Sequence, residues 1–351
     1  MVTPSAILLL TVAHAAEVTD IPAPLRGDIH LGYSGSFEQA GIEEAGETYA
    51  IRNTLRHDVT LRTEFSPYQG IGLTVGLPIT ASHQISYPSA RAMVFEPVNG
   101  GGSFVDGALL DDPPSFRGSG VQGVWLGAAF TPVSTRFKRS LPMNLRIDLA
   151  ARTPAPNATI YGPNRGGSPG GAALRLSVAG SRRMGNAEPY SKLTWQQEFP
   201  FEAELADAAG SVIASGVRLK AASTIGFVVG TEAILAERSD DGMRVAFDVW
   251  GGLTYRGWAD RGSGVHLPSV LDIGRTAPAT KGEDLLARFG VGVDYHINTW
   301  VGLRFGGEGQ YFTPHTIEHL YAARTDGGSF AVAWNAAIVG RIRLKDDDPT
   351  W

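Results

Sequence analysis

Two stretches of the chain alternate apolar and polar residues almost without a break. In Arg244–Arg256, Val245, Phe247, Val249, Leu253 and Tyr255 hold one parity, and Arg244, Asp248, Thr254 and Arg256 hold the other. In Arg288–His296, Phe289, Val291, Val293 and Tyr295 alternate with Arg288, Gly290, Gly292, Asp294 and His296. Successive side chains of a strand point to opposite faces, so each stretch predicts a strand with one apolar and one polar face. Weaker forms of the pattern bring the predicted strands to twelve, near 27–37, 48–65, 70–81, 120–131, 142–153, 171–182, 188–199, 222–237, 243–256, 284–296, 299–311 and 329–344.

The gaps between these strands sort by place. The even gaps are turn-like: Ser66–Gln69, the stretch around Thr135–Ser140, Arg183–Ala187, Ser239–Gly242, and Asn298 with its neighbours. The odd gaps from the third onward are long and rich in Gly, Pro, Asp and Ser: 82–119, 154–170, 200–221, 257–283 and 312–328, while 38–47 is intermediate. An antiparallel barrel in an outer membrane sorts its connections in this way, with short periplasmic turns, long external loops and both termini periplasmic. A sandwich or propeller has no reason to do so.

Aromatic residues lie near strand ends, as the interfaces of a bilayer favour. Phe37, Tyr49, Phe199, Tyr255, Tyr311, Phe312 and Phe330 are expected at the outer rim, and Phe65, Tyr68, Phe130, Tyr190, Tyr295 and Trp300 at the inner rim. Ile71, Leu73, Val75, Leu126, Leu149, Leu176, Phe227, Val229, Phe305, Val332, Trp334 and Ile338 are among those expected to face lipid. An open sheet edge in hydrocarbon would leave backbone groups unpaired, so the sheet must close. The expected fold is therefore all-β: one closed antiparallel transmembrane barrel of about twelve strands.

On this pattern the chain resembles the porin-like β-barrels of Gram-negative outer membranes. The resemblance spans almost the whole mature chain and rests on no family motif. It implies an outer-membrane location. It departs at the C-terminus, where such barrels commonly close on an aromatic residue. Here the last strand is expected to end near Leu344, with an acidic tail, 345–351, after it.

Composition narrows the picture. The 351 residues carry a net charge of −5 and no Cys. An acidic chain lacks the concentrated basic surface that nucleic acid requires, and without Cys there is no disulfide framework or thiolate chemistry. No apolar run is long enough for a spanning helix. Ala6–Ala13 is a short apolar core, followed by Ala13-His14-Ala15, which predicts an export signal over 1–15. No Lys or Arg precedes that core, which is atypical. Residues 16–26 are then a periplasmic lead-in and 27–344 the barrel.

Charge is dense on the inward parity. The residues expected to line the lumen are Arg52, Arg56, Arg62, Asp58, Arg146, Asp148, Arg244, Asp248, Arg256, Arg288, Asp294, Arg304 and Glu308. Asp148 is expected beside Arg146, and Glu308 near Arg304. Ionisable groups at membrane depth must face water or one another. Two readings follow. The arginines line a path for small polar or anionic solutes, or the charges neutralise one another in a barrel too thin to conduct, whose long loops serve adhesion or recognition. Twelve strands lie between filled and open barrels. Inward glycines (Gly72, Gly76, Gly123, Gly127, Gly290, Gly292, Gly302 and Gly306) would leave room in the lumen.

No enzyme is expected. His315–His319 fits H-x-x-E-H, the inverted zinc-peptidase pattern, which needs a helix and a third ligand. It falls in the last external loop with no room for a peptidase domain, so no metal is assigned. A lipase at the outer boundary would need a Ser/His pair. His57 has outward parity, yet no serine stands beside it in sequence. No phosphate-cradling loop is present, and no cofactor is implied. Loop 200–221 carries a helical hint at Glu202–Ala209. The expected partners are outer-membrane lipid and a small solute.

Overall fold

The structure is a computed structural model. It describes residues 21–44, 47–86, 88, 91–98, 101–109, 115–134, 143–154, 159–160, 171–206, 212–219, 223–238, 242–257, 259–261, 279–281, 283–319 and 322–343. Twelve long strands form the barrel: β1 (Arg26–Glu44), β2 (Glu47–Tyr68), β3 (Ile71–Ser86), β4 (Trp125–Val133), β5 (Asn144–Arg152), β6 (Ala173–Ser181), β7 (Ala187–Glu198), β8 (Ser223–Glu237), β9 (Arg244–Arg256), β10 (Asp284–His296), β11 (Val301–Phe312) and β12 (Ala322–Arg343). Each pairs antiparallel with the next, and β1 returns to pair with β12, from Arg26 opposite Arg343 to Glu43 opposite Thr325. The sheet has closed on itself, as lipid demands of a β structure. The expected export signal and acidic tail lie outside the described residues.

Tight turns fill the second, sixth and tenth gaps. The second gap narrows to Gln69 and Gly70, because β2 runs on through Tyr68, and Gly70 takes a φ of 74°. At the β10–β11 turn the Asn298 side-chain oxygen accepts from the backbone N–H groups of Trp300 and Val301, at 2.8 and 2.9 Å. An Asx-type contact of this kind fixes a short reversal.

The long gaps are more ordered than expected. Within 82–119, 91–98 pairs with 101–109, and 115–121 returns to pair with β3. The expected fourth strand near 120–131 is thus two segments, split by Gly123 at φ 89°. A Cβ there would lie 2.3 Å from the Thr153 carbonyl oxygen, so Gly123 serves a chain bend and not lumen space. The helical hint at Glu202–Ala209 is overturned: Phe201–Ala206 is a strand paired with Val212–Leu219, and 207–209 lie outside the described residues. Pairing with a neighbouring strand overrides helix propensity.

The two faces separate by parity. Leu126, Leu149, Phe227, Val229, Phe305, Val332 and Ile338 are exposed on the outer wall. The aromatic rims need two corrections. Tyr190 and Phe312 are buried inside the barrel. Phe312 follows outward Tyr311, and consecutive strand residues cannot share a face. The Tyr49 side chain lies outside those described.

This geometry makes the wall sensitive to depth. Val229→Arg, near the middle of β8, is expected to cost about 2–4 kcal/mol of barrel stability, and Tyr295→Arg, at the periplasmic rim, about 0–1 kcal/mol. Urea titration of the folded-to-unfolded gel-mobility shift would measure both. Equal costs would contradict the assigned membrane position.

Candidate functional site

The inner wall is a dense polar network. Arg52 reaches Glu38 at 2.8 Å, Arg62 reaches Glu64 at 3.0 Å, and Arg146 bridges Glu64 at 3.0 Å and Asp148 at 2.7 Å. Arg244 pairs with Glu232 at 2.5 Å, Arg304 with Asp294 at 3.2 Å, and Arg256 with Asp284. The Tyr190 hydroxyl donates to Asp248, at 2.9 Å to the nearer oxygen, and the Gln310 amide donates to Glu308. The expected Arg304–Glu308 proximity gives way to Arg304–Asp294. Four residues along a strand span about 13 Å, whereas Asp294 lies directly opposite Arg304 on β10.

The tightest node joins β2, β3 and the segment before β4. Arg56 and Asp58 are 0% and 1% exposed. Asp58 accepts from Arg56 Nε at 2.6 Å and Nη2 at 2.9 Å, from the Thr80 hydroxyl at 2.7 Å, and from the Gln122 amide at 2.8 Å. Asp58 thereby gains four donors. Gln122 was not visible as a site residue, because the unbroken strand expected over 120–131 gave it the lipid-facing parity of Leu126. The backbone carries it inward, with its N–H donating to the Pro78 carbonyl at 3.0 Å.

The inward glycines do not leave an open bore. A Cβ on Gly290 would meet Trp250 ring atoms at 2.4–2.7 Å, and one on Gly230 would meet the Tyr190 ring and hydroxyl at 2.4 Å. The space at these glycines is filled by Trp250 and Tyr190, which form a buried cluster with Ala179 and Val228. Gly72 faces Glu64 and the side chain of Ile21, which precedes β1 and is buried.

Between the walls lies a cavity of about 90 Å³, roomy enough for several waters or a small solute. Its lining includes Arg62, Arg146, Arg175, Lys192, Arg256 and Arg288, against one carboxylate, Asp148. Arg62 pairs with Glu64, Arg146 with Glu64 and Asp148, and Arg256 with Asp284. Arg175, Lys192 and Arg288 have no ion pair among the described residues. Arg288 is 4% exposed, and none of its three guanidinium nitrogens has a hydrogen-bond partner. Its guanidinium lies 5.4 Å from the Trp250 ring, and that of Arg175 lies 4.4 Å from the Trp125 ring. Lys192 was missed in the sequence. The available clue was its parity on β7, shared with Tyr190, Thr194 and Gln196.

Two outlying motifs take definite places. His315–His319 is a strand paired with β12, not a helix. Positions four apart on a strand are separated by about 13 Å, too far to share one ion as a helical pair does. The expectation that no serine stands beside His57 is corrected. A bulge at Ala81 resets the parity of β3, and Ser82 is opposite His57 in the register. His57 Nδ1 hydrogen-bonds to the Tyr33 hydroxyl at 2.7 Å, and no hydrogen bond joins His57 to Ser82 among the described residues.

No family model and no curated protein matches the sequence. Solved structures do. An outer membrane channel from Pseudomonas putida F1 matches with a TM-score of 0.52 and 11% identity, covering 94% of this chain and 100% of that one. A Pseudomonas aeruginosa FadL homologue matches with a TM-score of 0.40 and 10% identity, over 91% and 90% of the two chains. The NanC porin matches with a TM-score of 0.39 and 7% identity, over 87% and 98%. At such identities the likeness is one of fold. With twelve strands closed antiparallel, an apolar outer wall and a charged inner one, the chain is an outer-membrane β-barrel.

Proposed function

We propose that the barrel is a passive channel for small anions, with the cationic cavity as the section that sets its selectivity. One observation carries this reading: Arg175, Lys192 and Arg288 face a common cavity without an ion pair. A barrel filled only for stability would neutralise them, as it does Arg56, Arg146 and Arg256. Leaving a cation buried and uncompensated costs several kcal/mol, and a passing anion offsets that cost. No covalent chemistry is required of the protein. The Pseudomonas putida protein of like fold is described as a channel, which agrees.

Planar-bilayer recording in a salt gradient tests this. The reversal potential is expected to show preference for chloride over potassium. Changing Arg175, Lys192 and Arg288 together to Gln is expected to shift it toward cations. An absence of current would remove the channel reading. The second reading, a non-conducting barrel acting through its external loops, is favoured by the packing of Trp250 and Tyr190 along the inner wall, where they fill the room at its glycines.

A further inference from the structure

We infer that the cationic cavity is a binding station for a small monocarboxylate with a short apolar body, so that this class of solute is held there and not merely admitted. The inference rests on the anion-channel reading and adds the chemical class. Its first support is the way the two arginines are held. Arg175 and Arg288 lie near the rings of Trp125 and Trp250, at 4.4 and 5.4 Å. An aromatic ring stabilises a guanidinium through its face, and the donors in the guanidinium plane stay available. In Arg288 all three nitrogens are without a hydrogen bond. A planar fork of this kind matches two oxygens on one carbon, which a halide cannot offer.

The second support is the rest of the wall. Asp148, the one carboxylate there, is held by Arg146 at 2.7 Å and makes no ion pair with Arg175, Lys192 or Arg288 among the described residues. Lys192 adds a compact charge. Trp125, Ala150, Leu286 and Pro78 supply an apolar surface on the same cavity. Phosphate would leave that surface unused, whereas a carboxylate on a small hydrocarbon body meets both halves of the site.

The test uses purified full-length protein in detergent. Calorimetric titration with sodium benzoate, sodium phosphate and sodium chloride is expected to show binding of benzoate ahead of the other two. Arg288→Gln is expected to weaken benzoate binding about tenfold or more, the loss of charge-assisted hydrogen bonds. Arg288→Lys, which keeps the charge and loses the fork, is expected to weaken it similarly while preserving anion preference in bilayers. Because Arg288 is buried without an ion pair or hydrogen bond among the described residues, Arg288→Gln is expected to melt no lower than the parent and to lose the benzoate-induced rise in melting temperature. Lys192→Gln is a second variant at a half-buried position.

The outcomes separate the two readings. Benzoate binding that depends on Arg288, in a barrel that passes no current, would keep the site and end the channel. Current without benzoate binding would end the site and keep the channel. Phosphate bound in preference to benzoate, or benzoate bound equally by the parent and the Arg288 variants, would overturn the carboxylate assignment.

Discussion

Arg56→Ala is expected to lower the unfolding free energy of the barrel by about 3–5 kcal/mol, the cost of stranding a buried charge. Asp58 is 1% exposed and takes two of its four donors from Arg56. Without them its carboxylate keeps only Thr80 and Gln122, at a depth water does not reach. Asp58→Ala should cost a similar amount for the mirror reason, taking from the Arg56 guanidinium the carboxylate that it holds through two hydrogen bonds. The double replacement Arg56→Met with Asp58→Leu should be much milder, since an apolar pair of like volume often replaces a buried ion pair at little cost. Urea titration of the gel-mobility shift, run as a double-mutant cycle, measures all three. Single variants within about 1 kcal/mol of the parent would show that water reaches this node.

Trp250→Ala is the second large effect, and it has two readouts. The indole is 2% exposed and lies against the backbone of Gly290. Removing a buried aromatic of this size typically costs about 3–5 kcal/mol. The same change clears the inner wall at Gly290, so single-channel conductance is expected to rise. Gly290→Val approaches from the other side: its Cβ would overlap ring atoms of a rigid indole, so the ring must move or the barrel must strain, at about 1–3 kcal/mol. If Trp250→Ala destabilises the barrel and leaves the conductance of the parent unchanged, the constriction lies elsewhere along the bore.

The contrast between Arg56 and Arg288 carries the functional reading. Both are buried on the inward parity, and in the sequence they look alike. Arg56 is locked to Asp58 and Thr80, so its loss should be felt as instability. Arg288 touches a ring and no acid, so its loss should be felt as lost anion affinity. Parity can place an arginine inside a barrel. It cannot reveal whether a carboxylate stands across the strand.

Other parts of the site were hidden for equally specific reasons. Gln122 enters the lumen at the break beside Gly123, against the lipid-facing parity that an unbroken strand over 120–131 gave it. Ser82 came opposite His57 only because the bulge at Ala81 moved the parity of β3 by one. Glu308 shares a strand with Arg304, but the pairing of β10 with β11 set Asp294 against Arg304. Lys192 was legible by parity alone and was overlooked.

By itself the sequence determined the twelve strands, their faces and the rhythm of short turns and long connections. These follow from alternation with a period of two and from turn residues, which act between near neighbours in the chain. Only the tertiary structure decided which charges meet, that Trp250 and Tyr190 fill the room at the glycines, and that three cations share a cavity without ion pairs among the described residues. Those outcomes depend on the register between strands far apart in sequence, where a shift of one residue turns every side chain to the opposite face.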